Sequence, residues 1–144
     1  MSASAPFSSS WPATPECVPV ARRRIVEYLR DGDISPVALD DVALAVSEAV
    51  TNAVLHAYCE RDEPGEVRIC VEADPGGREV LVRVEDDGRG MTPRSNSPGA
   101  GVGLSVIDTV TTRFETGERE DGGTRLCMWF ERAESRRMSQ TDLG

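Results

Sequence analysis

The sequence predicts an α+β fold, a two-layer sandwich in which helices cover a mixed or antiparallel β-sheet. Apolar residues recur at helical spacing through residues 18–58. After them, two hairpins of alternating apolar and polar residues flank one further helix. Helices followed by strands, without an internal repeat or a linker, are typical of a single α+β domain. A chain of 144 residues is long enough for one such domain.

Two helices are expected in the first part of the chain. The first covers residues 18–30, and an Asp-Gly-Asp sequence ends it. Ser35 is a typical N-cap, and Pro36 suits the first position of the second helix. This helix extends to about residue 58 and is apolar over most of its circumference, which predicts that it is buried.

Alternating apolar residues predict four strands in two hairpins. The strands are residues 67–72, 80–85, 114–118 and 124–130. Between the hairpins, residues 88–103 are rich in glycine and proline and are expected to form a loop, with a short helix from Leu104. The predicted organisation is an N-terminal arm or edge strand (1–16), a folded domain (17–132) and a flexible tail (133–144).

Charge and composition exclude several classes of protein. All 16 basic residues are arginines, because the chain contains no lysine. The absence of lysine excludes a P-loop NTPase and Schiff-base chemistry. With 25 acidic residues the net charge is −9, which argues against direct nucleic-acid binding and leaves room for a basic protein partner.

The cysteines and the single histidine do not form a metal-binding pattern. The four cysteines are scattered, and His56 has no closely spaced ligand partner. Cys70 and Cys127 lie in apolar runs and are expected to be small core residues. No signal peptide and no apolar run of about 20 residues is recognisable, so we expect a cytoplasmic protein without membrane contact.

A polar stripe on the second helix is the first candidate site. Glu48 and Asn52 are one helical turn apart and share a face, which His56 extends. A carboxylate and an amide on an apolar helix cost free energy unless something binds them. The same stripe could also be the solvent-exposed face of the helix, and Asp40 and Asp41 mark where such a face could lie.

Three glycine-containing segments supply the other candidates. Strand alternation directs Asp86 toward the core and Asp87 away from it, with Gly88 and Gly90 following. An ordinary hairpin turn would explain an Asp-Gly pair, but it explains two spaced glycines behind an inward acid less well. The glycine run 99–104 opens the last helix, where backbone amides and the helix dipole favour an anion. Gly123-Thr124 begins the last strand.

In this order, the motifs resemble those of the Bergerat-fold ATPases, which include gyrase, heat-shock chaperone ATPases, histidine kinases and mismatch-repair ATPases. Glu48-x-x-x-Asn52 is similar to their N box. Asp86-x-Gly88-x-Gly90 and Gly101-x-Gly103-Leu104 are similar to the G1 and G2 boxes, and Gly123-Thr124 follows as in that superfamily. Residues 47–58 resemble the N box of bacterial anti-sigma-factor serine kinases, and Ala21-Arg22 resembles a position which those kinases use to contact partners.

The resemblance implies a nucleotide site for ATP or ADP with Mg²⁺. It makes Glu48 the catalytic base, Asn52 a ligand of both the nucleotide and Mg²⁺, and Asp86 the acceptor of the adenine amino group. The other nucleotide-binding residues which it implies are Gly88, Gly90, Met91, Gly101, Val102, Gly103, Leu104 and Thr124.

The resemblance also implies a function: an ATP-dependent protein serine/threonine kinase that acts as an anti-sigma factor. Such a protein phosphorylates an anti-sigma-factor antagonist, sequesters a sigma factor, or does both, and it can form a homodimer. Arg22, with Arg23 and Arg24, would belong to the partner-binding face, although an arginine run is also typical of a solvated helix surface.

The short segment 91–98 leaves an alternative open. The lid that covers ATP in this superfamily is often longer, and Arg94 is the only arginine in this one. A short lid would shield the phosphates less well from water. The chain would then be a catalytically weak ATP- or ADP-binding module that uses nucleotide to shape a protein-docking surface. A plain α+β interaction domain without nucleotide is a third reading.

Overall fold

The structure, a computed structural model, describes residues 6–58, 65–73, 77–87, 100–120 and 122–133. For residues 56–58 and 100–103 the description covers the backbone alone. The elements in chain order are β1 (Phe7–Pro12), α1 (Cys17–Arg30), α2 (Pro36–Tyr58), β2 (Glu66–Ala73), β3 (Glu79–Asp86), α3 (Ala100–Val110), β4 (Arg113–Glu118) and β5 (Thr124–Glu131).

The strands form one five-stranded sheet in the order β1-β2-β3-β5-β4, and every neighbouring pair is antiparallel. The two predicted hairpins are therefore confirmed, and the sheet is antiparallel rather than mixed. Strand β3 lies in the middle, between β2 and β5. Helix α2 packs on these three strands, with α1 and α3 on either side of it, so the predicted two-layer α+β fold is confirmed.

The core lies between α2 and the inner face of the sheet. Complete burial of one Val, Ile, Met or Phe side chain stabilises the folded state by roughly 1.5–3 kcal/mol, so this layer holds the fold together. Its largest fully buried members are Phe130, Ile25, Ile69, Ile107, Met128, Val42, Val46, Val50, Val67, Val71, Val80 and Val82.

The predicted start of α2 is also confirmed, because the Ser35 hydroxyl accepts a hydrogen bond from the Ala38 N–H at 3.1 Å.

Two expectations about local structure are wrong. Helix α3 begins at Ala100 rather than at Leu104, so the glycines that predicted a loop occupy its first turn. Packing of α3 against α2 outweighs the low helix propensity of glycine. Cys70 and Cys127 are half-buried on the outer face of the sheet instead of in the core, because they alternate with the inward residues Ile69 and Met128.

Within the described part of the chain, no helix has the length and apolar character that crossing a membrane would require.

Candidate functional site

Asp86, the last residue of β3, is the buried acid of the inner face. Its side chain is 6% exposed, and it continues the buried positions of β3 beyond Val84, as strand alternation predicts. The Thr124 hydroxyl donates a hydrogen bond to Asp86 Oδ1 at 3.2 Å, since the two residues lie opposite each other on β3 and β5. A buried carboxylate needs such partners, and it offers acceptor oxygens to a ligand that carries hydrogen-bond donors.

Asp87 points the other way and holds the same strand end against β2. The Glu66 N–H donates to Asp87 Oδ1 at 2.8 Å. The Asp87 N–H donates to the Glu66 carbonyl oxygen at 3.3 Å. Two adjacent aspartates therefore have different environments, and Asp86 is the one that faces the helical layer.

Gly123 and Arg119 support Asp86, a role that the sequence alone does not reveal. A Cβ atom at Gly123 would collide with the Asp86 carbonyl oxygen and stand 2.9 Å from its carbonyl carbon. Arg119 Nη1 donates to that carbonyl oxygen at 3.4 Å. The Gly123-Thr124 motif marks Gly123 in the sequence, but no local pattern marks Arg119, because its contact with Asp86 depends on sheet order.

Glu48 and Asn52 lie on α2, the helix that packs on the inner face where Asp86 is buried. Both side chains are half-buried. The exposed stripe of α2 runs beside them, through Asp40, Leu44, Thr51 and Leu55. The polar pair therefore lies at the border between the solvent face and the buried face of α2.

The candidate phosphate-binding segment coincides with the first turn of α3. Gly101, Val102 and Gly103 lie in that turn, and Leu104 packs partly buried against the core. The first N–H groups of a helix have no partner within it and favour an anion. The other predicted site residues Gly88, Gly90, Met91 and Arg94 lie outside the described residues, as does the side chain of His56.

The arginines of α1 are exposed, yet two of them make defined contacts. Arg22 Nη1 donates to the Ser47 hydroxyl on α2 at 3.3 Å. The Arg24 guanidinium lies 5.6 Å from the centre of the Phe7 ring. Arg22 is thereby held beside the helix that carries Glu48.

Each of these groups has a chemistry that a nucleotide or a divalent cation can use. A carboxylate oxygen such as those of Asp86 can accept a hydrogen bond from an exocyclic amino group. Asn52 offers a neutral oxygen of the kind that Mg²⁺ takes as one of few protein ligands. The first turn of α3 has backbone amides of the kind that bind phosphate. Glu48, one turn from Asn52, is a carboxylate that can take a proton from an attacking hydroxyl.

Comparison with known proteins yields a family match and several relatives. Residues 11–130 match the family described as histidine kinase-like ATPase domain. The anti-sigma F factor of Clostridium novyi is 33% identical over an alignment of 118 residues, and the match covers 75% of this chain and 81% of that protein. The serine-protein kinase RsbW of Oceanobacillus iheyensis is 45% identical over 58 residues, 40% of this chain and 36% of that kinase.

Solved structures share the fold at lower identity. A structure of RsbU and RsbW domains from Mycobacterium tuberculosis matches 90% of this chain with a TM-score of 0.68 and 22% identity. This chain covers 33% of that larger one. A chain of the SiaB-SiaC complex from Pseudomonas aeruginosa matches 87% of this chain, and is itself covered to 89%, with a TM-score of 0.57 and 17% identity.

Proposed function

The chain belongs to the histidine kinase-like ATPase domain family, and from this premise we propose that it is an ATP-dependent protein serine/threonine kinase that regulates a sigma factor. In this proposal it phosphorylates an anti-sigma-factor antagonist, sequesters the sigma factor, or does both. Because such partners act in transcription, the proposed location is the cytoplasm. Relatives named anti-sigma F factor and serine-protein kinase RsbW support this choice over other ATPases of the family.

The observation that carries the proposal is the buried carboxylate of Asp86 beside the Thr124 hydroxyl. Burying a carboxyl group on the inner face of a sheet costs stability, which a binding role explains. Asp86 would accept a hydrogen bond from the adenine amino group, and Thr124 would orient the carboxylate through its own hydrogen bond of 3.2 Å. Adenine is thereby preferred over guanine, which presents a carbonyl oxygen at the same position.

The residues of α2 and α3 would serve the phosphate end of the same ligand. Bound Mg-ATP would supply the phosphoryl group and the divalent charge that stabilises its transfer. Asn52 would hold the metal through its side-chain oxygen, and Gly101 and Gly103 would leave the α3 amides accessible to phosphate. Glu48 would take the proton from the attacking serine or threonine hydroxyl.

Arg22 is the proposed partner-binding residue. It is exposed on α1, and its hydrogen bond to Ser47 fixes its guanidinium next to α2. Arg22→Ala should weaken binding of the cognate antagonist or sigma factor. Arg30→Ala, which removes an exposed arginine from the last turn of the same helix, is the matched control. Equal binding by the Arg22 variant and the wild type would remove Arg22 from the interface.

Nucleotide affinity is the first test of the whole proposal. Titration calorimetry with ATP and Mg²⁺ should give binding for the wild type and a large loss for Asp86→Asn. Asp87→Asn is the matched control: it removes one charge at the adjacent position while keeping an oxygen for the Glu66 N–H. Absence of ATP binding by the wild type, or undiminished binding by Asp86→Asn, would contradict the proposed site.

Phosphoryl transfer is the second test. Wild-type protein, γ-labelled ATP and the cognate antagonist should give label on a serine or threonine of the antagonist. If ATP binds but no label appears over hours, the chain is instead the nucleotide-binding docking module that the short segment 91–98 leaves open.

A further inference from the structure

The turn between β4 and β5 (residues 119–123, of which 121 lies outside the described part) brings a guanidinium to the end of β3. Within it, the Arg119 N–H donates to the Gly123 carbonyl oxygen at 2.8 Å, and the Gly122 N–H donates to the Arg119 carbonyl oxygen at 3.1 Å. Gly122 has φ +103°, a conformation that favours glycine. These contacts bend the turn back, so that Arg119, its first residue, faces β3.

The Arg119 guanidinium contacts two consecutive residues of β3. Its Nη1 donates to the Asp86 carbonyl oxygen at 3.4 Å. Its Nε lies 4.0 Å from Glu85 Oε1. Glu85 points to the outer face of the sheet and Asp86 to the inner face, so one side chain holds the backbone on which the inner carboxylate stands.

The contact is partly sheltered from water. The side chains of Arg119 and Glu85 are 24% and 15% exposed. The Arg119 Cδ also lies 3.1 Å from the position that a Cβ on Gly123 would take. The turn, the arginine and the backbone of Asp86 therefore pack as one unit, and a hydrogen bond from a charged donor to a carbonyl is stronger than one between neutral groups.

We propose that Arg119 is a positioning residue that sets the base preference of the site, by fixing the end of β3 so that the Asp86 carboxylate meets the adenine amino group. The inference rests on the proposed nucleotide site and goes beyond it, because Arg119 is not among the residues proposed to bind the nucleotide. Loss of Arg119 leaves Asp86 present but less well placed, and the contact that suffers is the one specific to adenine.

The test compares ATP with inosine triphosphate, which carries a carbonyl where adenine has its amino group. Arg119→Met keeps the side-chain length and removes the guanidinium. It should raise the Kd for ATP about threefold to tenfold, the range expected for one hydrogen bond. The Kd for inosine triphosphate should change less than about twofold, because that ligand has no amino group that could donate a hydrogen bond to Asp86. Arg119→Lys, which retains a cationic donor, should recover part of the preference.

Arg125→Met is the matched control. Arg125 Nε lies 3.4 Å from the same Glu85 carboxylate, so this variant removes an ion pair at the outer face and leaves the Arg119–Asp86 contact in place. It should keep the ATP preference of the wild type. The free energy of unfolding without nucleotide, measured for both variants, shows whether a change in ATP affinity follows from a loss of stability.

The outcomes are distinguishable. Equal losses for ATP and inosine triphosphate in Arg119→Met, no loss for either, or the same loss of preference in Arg125→Met would overturn the role of Arg119 and leave the nucleotide site intact. Failure of the wild type itself to bind ATP would instead contradict the proposed function, and the positioning role with it.

Discussion

Gly123 packs directly against the carbonyl group of Asp86: a Cβ atom at position 123 would stand 2.9 Å from the Asp86 carbonyl carbon and collide with its oxygen. This close approach joins the start of β5 to the end of β3. It also places Thr124, the next residue, where its hydroxyl reaches the Asp86 carboxylate. The geometry of the candidate base-binding site therefore depends on a backbone contact as well as on the two side chains.

Gly123→Ala should lower the free energy of unfolding by about 1–3 kcal/mol, because the obstacle to the new methyl group is backbone and cannot move aside cheaply. Urea unfolding measures the change. Gly117→Ala on β4 is the control, since nothing lies within 4 Å of a Cβ there, and it should leave stability within about 0.5 kcal/mol of the wild type. A Gly123→Ala protein as stable as the wild type would show that the strand ends can separate freely.

Thr124→Val should weaken ATP binding severalfold. The valine has nearly the same shape but cannot donate to Asp86 Oδ1, so the carboxylate loses an orienting hydrogen bond worth about 1 kcal/mol. Calorimetry with Mg-ATP gives the comparison. Thr116→Val, at an exposed position of β4, makes the same chemical change away from the site and should have no effect. Unchanged affinity in Thr124→Val would remove the hydroxyl from the binding site.

Glu48→Gln should reduce labelling of the cognate antagonist by about a hundredfold or more, because a general base contributes roughly that much to a proton-transfer step. ATP affinity should stay within about twofold, since the amide keeps the size of the carboxyl group. Asp40→Asn removes an acid from the exposed stripe of the same helix and serves as the control. Undiminished labelling by Glu48→Gln would exclude Glu48 as the base.

Alkaline pH should destabilise the protein in part through Cys17. Burial raises the pKa of this thiol above its ordinary value of 9.0, against a smaller lowering by the backbone hydrogen bond with Thr14. A thiol whose pKa is raised by folding contributes stability that is fully present below the unfolded pKa, near pH 9, and is lost as the pH rises through the folded pKa.

Unfolding free energies at about pH 8 and about pH 10 test this linkage. Cys17→Ala should lose less stability between the two pH values than the wild type, although it is less stable at both because a buried sulfur is removed. Cys70→Ala, a half-buried cysteine on the outer face of the sheet, controls for loss of a thiol as such. An identical loss in Cys17→Ala and the wild type would contradict the assignment.

Periodicity in the sequence was sufficient to predict the elements in which buried residues recur at regular intervals. The span of α2, its Ser35 cap and the inward direction of Asp86 are all confirmed, because a helix repeats every 3.6 residues and a strand every two. The same local reasoning was wrong at the start of α3. The low helix propensity of glycine favours a loop there, but packing against α2 stabilises a helix.

The sequence by itself determined the α+β class, the two hairpins and the motifs that carry Glu48, Asn52 and Asp86, since these follow from repeats within a few residues. Only the tertiary structure decided that Arg119 and Gly123 meet the backbone of Asp86 and that Cys70 and Cys127 lie outside the core. The contacts of Arg119 and Gly123 depend on the order β1-β2-β3-β5-β4, which makes β5 the neighbour of β3. The positions of the two cysteines depend on which face of the sheet the helices cover. Strand order is settled by packing between distant segments, and no local repeat in the chain encodes it.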